Sequence, residues 1–106
     1  MQNKINISLN NYKYYKGEYI IYEKNGIGKE YYGHDDSLLY EGEYLNGKRN
    51  GKGKLYSSRG ELIFEGEYLN GEKNGKGKQY YFYDGRLQYE NEYLNGKRNG
   101  KGKEYS

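Results

Sequence analysis

Residues 40–45 alternate in character: Tyr40, Gly42 and Tyr44 fall on one side of an extended backbone, Glu41, Glu43 and Leu45 on the other. A period of two predicts a strand. The alternation resumes over residues 51–56, where Gly51, Gly53 and Leu55 share one face and Lys52, Lys54 and Tyr56 the other. Between the two arms lies Asn46-Gly47-Lys48-Arg49-Asn50, whose Asn-Gly steps favour positive φ and a tight reversal. The unit is a β-hairpin. Its expected cross-strand pairs are Glu43 with Lys52, Glu41 with Lys54, Gly42 with Gly53, Tyr44 with Gly51 and Tyr40 with Leu55. Opposite charges then meet on one face and aromatics cover glycines on the other.

This block recurs at residues 64–78 and 89–103, and in decayed form at 15–29; the equivalent tyrosines Tyr19, Tyr44, Tyr68 and Tyr93 lie 25, 24 and 25 residues apart. A fixed period of this size implies stacked supersecondary units. The predicted fold is all-β, an elongated antiparallel sheet of stacked β-hairpins. Four repeats are expected at 15–39, 40–63, 64–88 and 89–106, with residues 1–14 as an N-terminal cap or extra edge segment. Ser58-Arg59-Gly60 and Tyr83-Asp84-Gly85 mark the outer turns, and two strands per repeat would give a ladder roughly 35 Å long.

Tyr40-Glu-Gly42-Glu-Tyr44, Gly47 and Gly51-Lys-Gly53, matched again in residues 64–77, resemble the MORN (membrane occupation and recognition nexus) repeat, whose pattern is Tyr-x-Gly-x-aromatic, Gly, then Gly-x-Gly. The resemblance spans about residues 15–105. It implies a row of hairpins forming an elongated, slightly curved sheet, and scaffolding at cytoskeletal and membrane-associated structures. The chain departs from the pattern at Asn91, where a Gly belongs, and at Tyr22, which replaces the turn glycine. The first copy also reads Glu23-Lys24 where the second has Lys48-Arg49.

Composition changes the picture in one respect. Val, Ala, Thr, Pro, Cys and Trp are absent, while tyrosine reaches 17 residues, so aromatics must supply most of the buried area. Without cysteine there is neither a disulfide nor a thiolate metal site. Residues 1–12 hold only scattered Ile and Leu, with no apolar run long enough for a signal peptide, and no stretch approaches a membrane span. The expected location is cytoplasmic, or peripheral at a membrane or the cytoskeleton. Asn6-Ile7-Ser8 matches a glycosylation acceptor, but without a secretory signal it reads as coincidence.

Catalytic chemistry is not expected. His34 is the sole histidine; beside Asp35 and Asp36 it makes a polar turn rather than a metal site, and no serine has an orienting base. Gly47-Lys-Arg-Asn-Gly51-Lys52 has the wrong spacing for a phosphate loop and lacks the following Ser or Thr. No catalytic residue, metal or cofactor is assigned.

Two features of each copy remain for function. Tyr15, Tyr19, Tyr40, Tyr44, Phe64, Tyr68, Tyr89 and Tyr93 would line an aromatic face able to hold a helical or extended protein segment. The alternative uses Lys48, Arg49, Lys73, Lys97 and Arg98, expected in the turns without acidic partners, to meet anionic phospholipid headgroups at about 1 kcal/mol per charge. A homodimer through the C-terminal edge is a further expectation. Nucleic-acid binding is disfavoured, because 18 basic residues are interleaved with 15 acidic ones.

Overall fold

A computed structural model describes residues 12–15, 18–22 and 26–105, with side chains placed at Ile20 and from Gly26 onward, Lys101 excepted. It is a single antiparallel sheet whose nine strands lie in chain order: β1 (Tyr12–Tyr15), β2 (Glu18–Tyr22), β3 (Ile27–Tyr32), β4 (Leu38–Leu45), β5 (Lys48–Tyr56), β6 (Leu62–Leu69), β7 (Glu72–Tyr80), β8 (Leu87–Leu94) and β9 (Lys97–Glu104). There is no helix among the described residues. The longest dimension is 45 Å. Of the expected N-terminal cap, residues 1–11 lie outside the described residues; β1 pairs with β2 as an added edge strand.

The hairpins β4–β5, β6–β7 and β8–β9 each close on Asn-Gly alone. Asn46 and Gly47 have φ of 53° and 80°, and Asn70-Gly71 and Asn95-Gly96 repeat this left-handed pair, the geometry of a two-residue primed turn. Lys48, Arg49 and Asn50 are therefore not turn residues; they begin β5. A bulge follows at Gly51, whose φ is 103°, and the register shifts between Gly42 and Tyr44.

The bulge redistributes the expected pairs. Tyr40 meets Leu55, Glu41 meets Lys54 and Gly42 meets Gly53, as the alternation predicts, but Tyr44 faces Arg49 instead of Gly51. Tyr-over-Gly pairing occurs one step on, between repeats: Gly51 faces Tyr68 and Lys52 faces Glu67. β7 and β8 repeat the arrangement with Gly75 facing Tyr93 and Lys76 facing Glu92. Neighbouring tips are also tied, since the Gly71 and Gly96 amides donate to the carbonyls of Arg49 and Lys73 at 2.9 and 3.0 Å.

The first copy does not reproduce the hairpin. Tyr15 pairs with Glu18 and Tyr14 with Tyr19, so Tyr15 and Tyr19 sit on different strands. Tyr22 pairs with Gly28, whereas Gly53, the equivalent of Gly28 in the next repeat, pairs with Gly42. With Tyr22 in place of the turn glycine, the primed turn does not form at that position and Tyr22 remains within β2.

Candidate functional site: a charged groove behind a covered aromatic core

The aromatic face expected to be open is covered. Tyr40 and Phe64 are fully buried, and Tyr68 and Tyr93 are only 4% and 7% exposed. Glycine makes this possible in a single sheet. A Cβ on Gly53 would lie 2.0 Å from the Tyr40 hydroxyl, and one on Gly77 2.6 Å from the Phe64 ring, so each ring rests on bare backbone. The rings pack edge to face, with centroids 5.3 Å apart for Tyr40–Tyr68 and 5.4 Å for Phe64–Tyr93.

Cations close the row from above. Arg49 stands 4.3 Å from the Tyr40 ring centroid and 5.5 Å from that of Tyr68. Lys73 spans Phe64 and Tyr93 at 4.1 and 5.6 Å, and Arg98 covers Tyr89 at 3.8 Å. Three of the five proposed headgroup cations are thus engaged with rings, because the bulge turns them onto the aromatic face. Burial, followed by the nearby Arg49 charge, lowers the Lys73 pKa. Of the five, Arg49 and Lys73 are half-buried, while Lys48 and Lys97 stand exposed beside the Asn-Gly turns and Arg98 is exposed on the outer strand. The side chains of Tyr15 and Tyr19 lie outside the described residues.

One residue that the alternation did not single out anchors the row. Glu30 is buried at 8% exposure and accepts two hydrogen bonds of 2.7 Å from Arg49 and one of 2.5 Å from the Tyr44 hydroxyl. Burial, reinforced by that bond to Glu30, raises the Tyr44 pKa. For Arg49 burial opposes the charge, but the bonds to Glu30 outweigh it and the pKa rises. The visible signal was a cation five residues after the second aromatic of each copy, at Lys24, Arg49, Lys73 and Arg98.

The opposite face carries the concavity. A groove of about 740 Å³ crosses the strands from Ile27 to Lys103. Glu41, Lys54, Glu65, Lys78 and Glu90 form one wall, and Glu43, Lys52, Glu67, Lys76 and Glu92 the other. The floor is the backbone of Gly42, Gly53, Gly66 and Gly77, continued by Asn91 and Gly102.

The walls are less self-neutralised than the alternation suggests. Tyr105 donates to Glu90 at 2.7 Å, and burial, followed by the charge of the nearby Glu41 and Glu65, raises the pKa of Tyr56 and Tyr80. Glu67 turns to the Lys76 backbone amide at 3.1 Å. Among the described residues, the one wall lysine within ion-pair distance of a carboxylate is Lys78, 3.8 Å from Glu90. Lys52, Lys54 and Lys76 therefore present ammonium groups to the groove, while Glu67 and Glu90 are held by other donors.

No group of three or more metal-ligating side chains occurs among the described residues. His34 contacts Asp35 at 3.5 Å in an exposed turn, and Ser37 holds the Asp35 carboxyl below its usual range. No helix among the described residues is long and apolar enough to cross a membrane.

The family model described as MORN repeat matches residues 40–61, 64–85 and 89–106, more than half of the chain. No curated protein matches the sequence significantly. MORN repeats are in general non-enzymatic modules for protein or membrane interaction.

Proposed function

We propose that this chain, which belongs to the MORN repeat family, is a non-catalytic protein-interaction module that binds an extended polar segment along the groove of its charged face. The groove itself carries the reading: it is a concavity of about 740 Å³ on the charged face, whereas the tyrosine row opposite is covered by its own rings and cations. Wall residues two apart on one strand stand about 6.8 Å from each other, and a helix with side chains is about 10 Å across. A helix is too wide for that floor. An extended chain fits and can satisfy its backbone and polar side chains on the lysines and glutamates along both walls.

A photo-crosslinking residue at Lys76 should capture the partner in cell extract, and one at Arg59, in an exposed outer turn, should not. The double variant Lys52→Glu, Lys76→Glu should lose capture at an unchanged melting temperature. Capture that survives both substitutions would remove the groove from consideration.

A second reading rests on the tips. Leu45, Leu69 and Leu94 are 57%, 49% and 49% exposed, and they pair with Lys48, Glu72 and Lys97. A leucine row beside two lysines suits an anionic membrane surface, where the module would be peripheral on the cytoplasmic side. Sedimentation with phosphatidylserine or phosphoinositide vesicles, repeated at high salt, tests it; no binding at low salt rejects it.

A further inference from the structure

The groove crosses the strands, so its side chains repeat with the hairpins. Lys52 and Lys54 stand on β5 and Lys76 and Lys78 on β7, with Glu65 and Glu67 on β6 between them. Like charges therefore return on every second strand, about 9.6 Å apart. A fully extended ligand brings a side chain back to the same wall after about 6.8 Å, out of step with that repeat. A polyproline II helix has three residues per turn and rises about 3.1 Å per residue, so every third side chain returns after about 9.3 Å. With the groove as the proposed binding site, we infer that its occupant is a polyproline II segment of a partner protein with Asp or Glu at every third position.

The sign of the charge follows from what already occupies the walls. Among the described residues, Lys78 alone of these four lysines has a carboxylate within ion-pair distance. The Glu43 and Glu67 carboxylates fold over the bulge glycines Gly51 and Gly75, where a Cβ would collide with them, and Glu67 accepts from the Lys76 backbone amide at 3.1 Å. A ligand carboxylate thus finds ammonium groups without a carboxylate partner, whereas a ligand cation must compete with an amide already bonded to Glu67. Lys52 and Lys76, in one row two strands apart, receive successive acids.

A row of rings has the same period. Tyr56 on β5 stands beside Glu41 and Glu65, and Tyr80 on β7 beside Glu65 and Glu90, each half-buried. Two rings one polyproline II turn apart offer apolar surface to the residues between the acids, as aromatic-lined grooves do for proline-rich segments. Of the three faces of the ligand, the acidic one lies on the Lys52–Lys76 wall, a second meets the opposite wall and its tyrosines, and the third faces solvent.

Fluorescence anisotropy with the full chain and a labelled peptide of four Glu-Pro-Pro triplets, about 37 Å long, tests this. Saturable binding is expected, at least about fivefold weaker for Lys-Pro-Pro triplets and for a peptide of identical composition with its glutamates on alternate residues. The double variant Lys52→Gln, Lys76→Gln should lose a similar factor at an unchanged melting temperature, and Arg59→Gln, in an exposed outer turn, should lose nothing. Equal binding of the two glutamate spacings, of the acidic and basic triplets, or of an oligothymidylate of the same charge would each overturn the inference while leaving the groove as the site. So would failure of the Glu-Pro-Pro peptide to bind while a crosslinker at Lys76 still captures a partner. Capture that survives Lys52→Glu, Lys76→Glu would remove the groove and its occupant together.

Discussion

Arg49 grips Glu30 through two parallel 2.7 Å hydrogen bonds while its guanidinium lies 4.3 Å from the Tyr40 ring. One side chain thus joins β3 to the aromatic core of the next hairpin. Removing one member of such a pair strands the other, so Arg49→Ala should cost about 3–5 kcal/mol, a large share of a stability near 5–15 kcal/mol for a domain. Glu30 occupies the place that Leu55 holds one repeat later, each opposite a buried aromatic. The double variant Glu30→Leu, Arg49→Leu should therefore recover most of the loss. Urea melts of the three proteins check this, and equal losses in single and double variants would show that the charge pair is not the cause.

Tyr40 and Phe64 occupy equivalent buried sites, but the Tyr40 hydroxyl has no hydrogen-bond partner among the described groups. An unpaired buried hydroxyl costs about 1–3 kcal/mol. Tyr40→Phe should match or exceed the parent in urea, and Phe64→Tyr should fall below it. A destabilised Tyr40→Phe variant would reveal a hidden partner for the hydroxyl.

Gly53 and Gly60 are glycines for different reasons. A Cβ on Gly53 would collide with the Tyr40 ring and hydroxyl, whereas Gly60 has open space around it and a φ of 87°. Gly53→Ala must lift the ring from the sheet and is expected to cost about 3 kcal/mol, in the upper range for overpacking. Gly60→Ala meets only backbone strain and should cost about 1 kcal/mol. Thermal melts should rank them in that order.

The hairpin, its Asn-Gly reversal and the two-faced alternation were legible, because a period of two and a primed turn each leave a local trace in residues 40–56. The bulge at Gly51 was not. Its Asn-Gly step looks the same in sequence as the one that makes the turn; both glycines take positive φ, and the preceding asparagine, positive at Asn46 but not at Asn50, separates a reversal from a register shift. That single ambiguity misplaced Arg49, Lys73 and Arg98 at the tip and left the tyrosine row without its cover. Glu30 was hidden for another reason, since its partners lie 14 and 19 residues away. The groove was half visible: its charged rows were read correctly, but as pairs that cancel. The donors that divert Glu90 and Glu67, the Tyr105 hydroxyl and the Lys76 backbone amide, leave no trace in the charge alternation.

Burial, chiefly, pushes the Tyr68 pKa from 10 up to about 12, with the Arg49 charge working the other way. Below the ordinary tyrosine range the hydroxyl is protonated in both states, so this shift leaves stability unchanged there. As pH passes about 10 the unfolded chain loses the proton and the folded chain keeps it, so unfolding gains. Stability should fall by about 1.4 kcal/mol for each pH unit until the folded group also ionises. Tyr40 and Tyr44, likewise raised mainly by burial, steepen the fall. Urea melts across this range should show the decline, and Tyr68→Phe should make it shallower by the contribution of one group. The tyrosinate absorbance of the folded protein should rise in two stages, exposed rings first and the buried row only with unfolding; a single stage at the ordinary pKa would mean that the row is open to water.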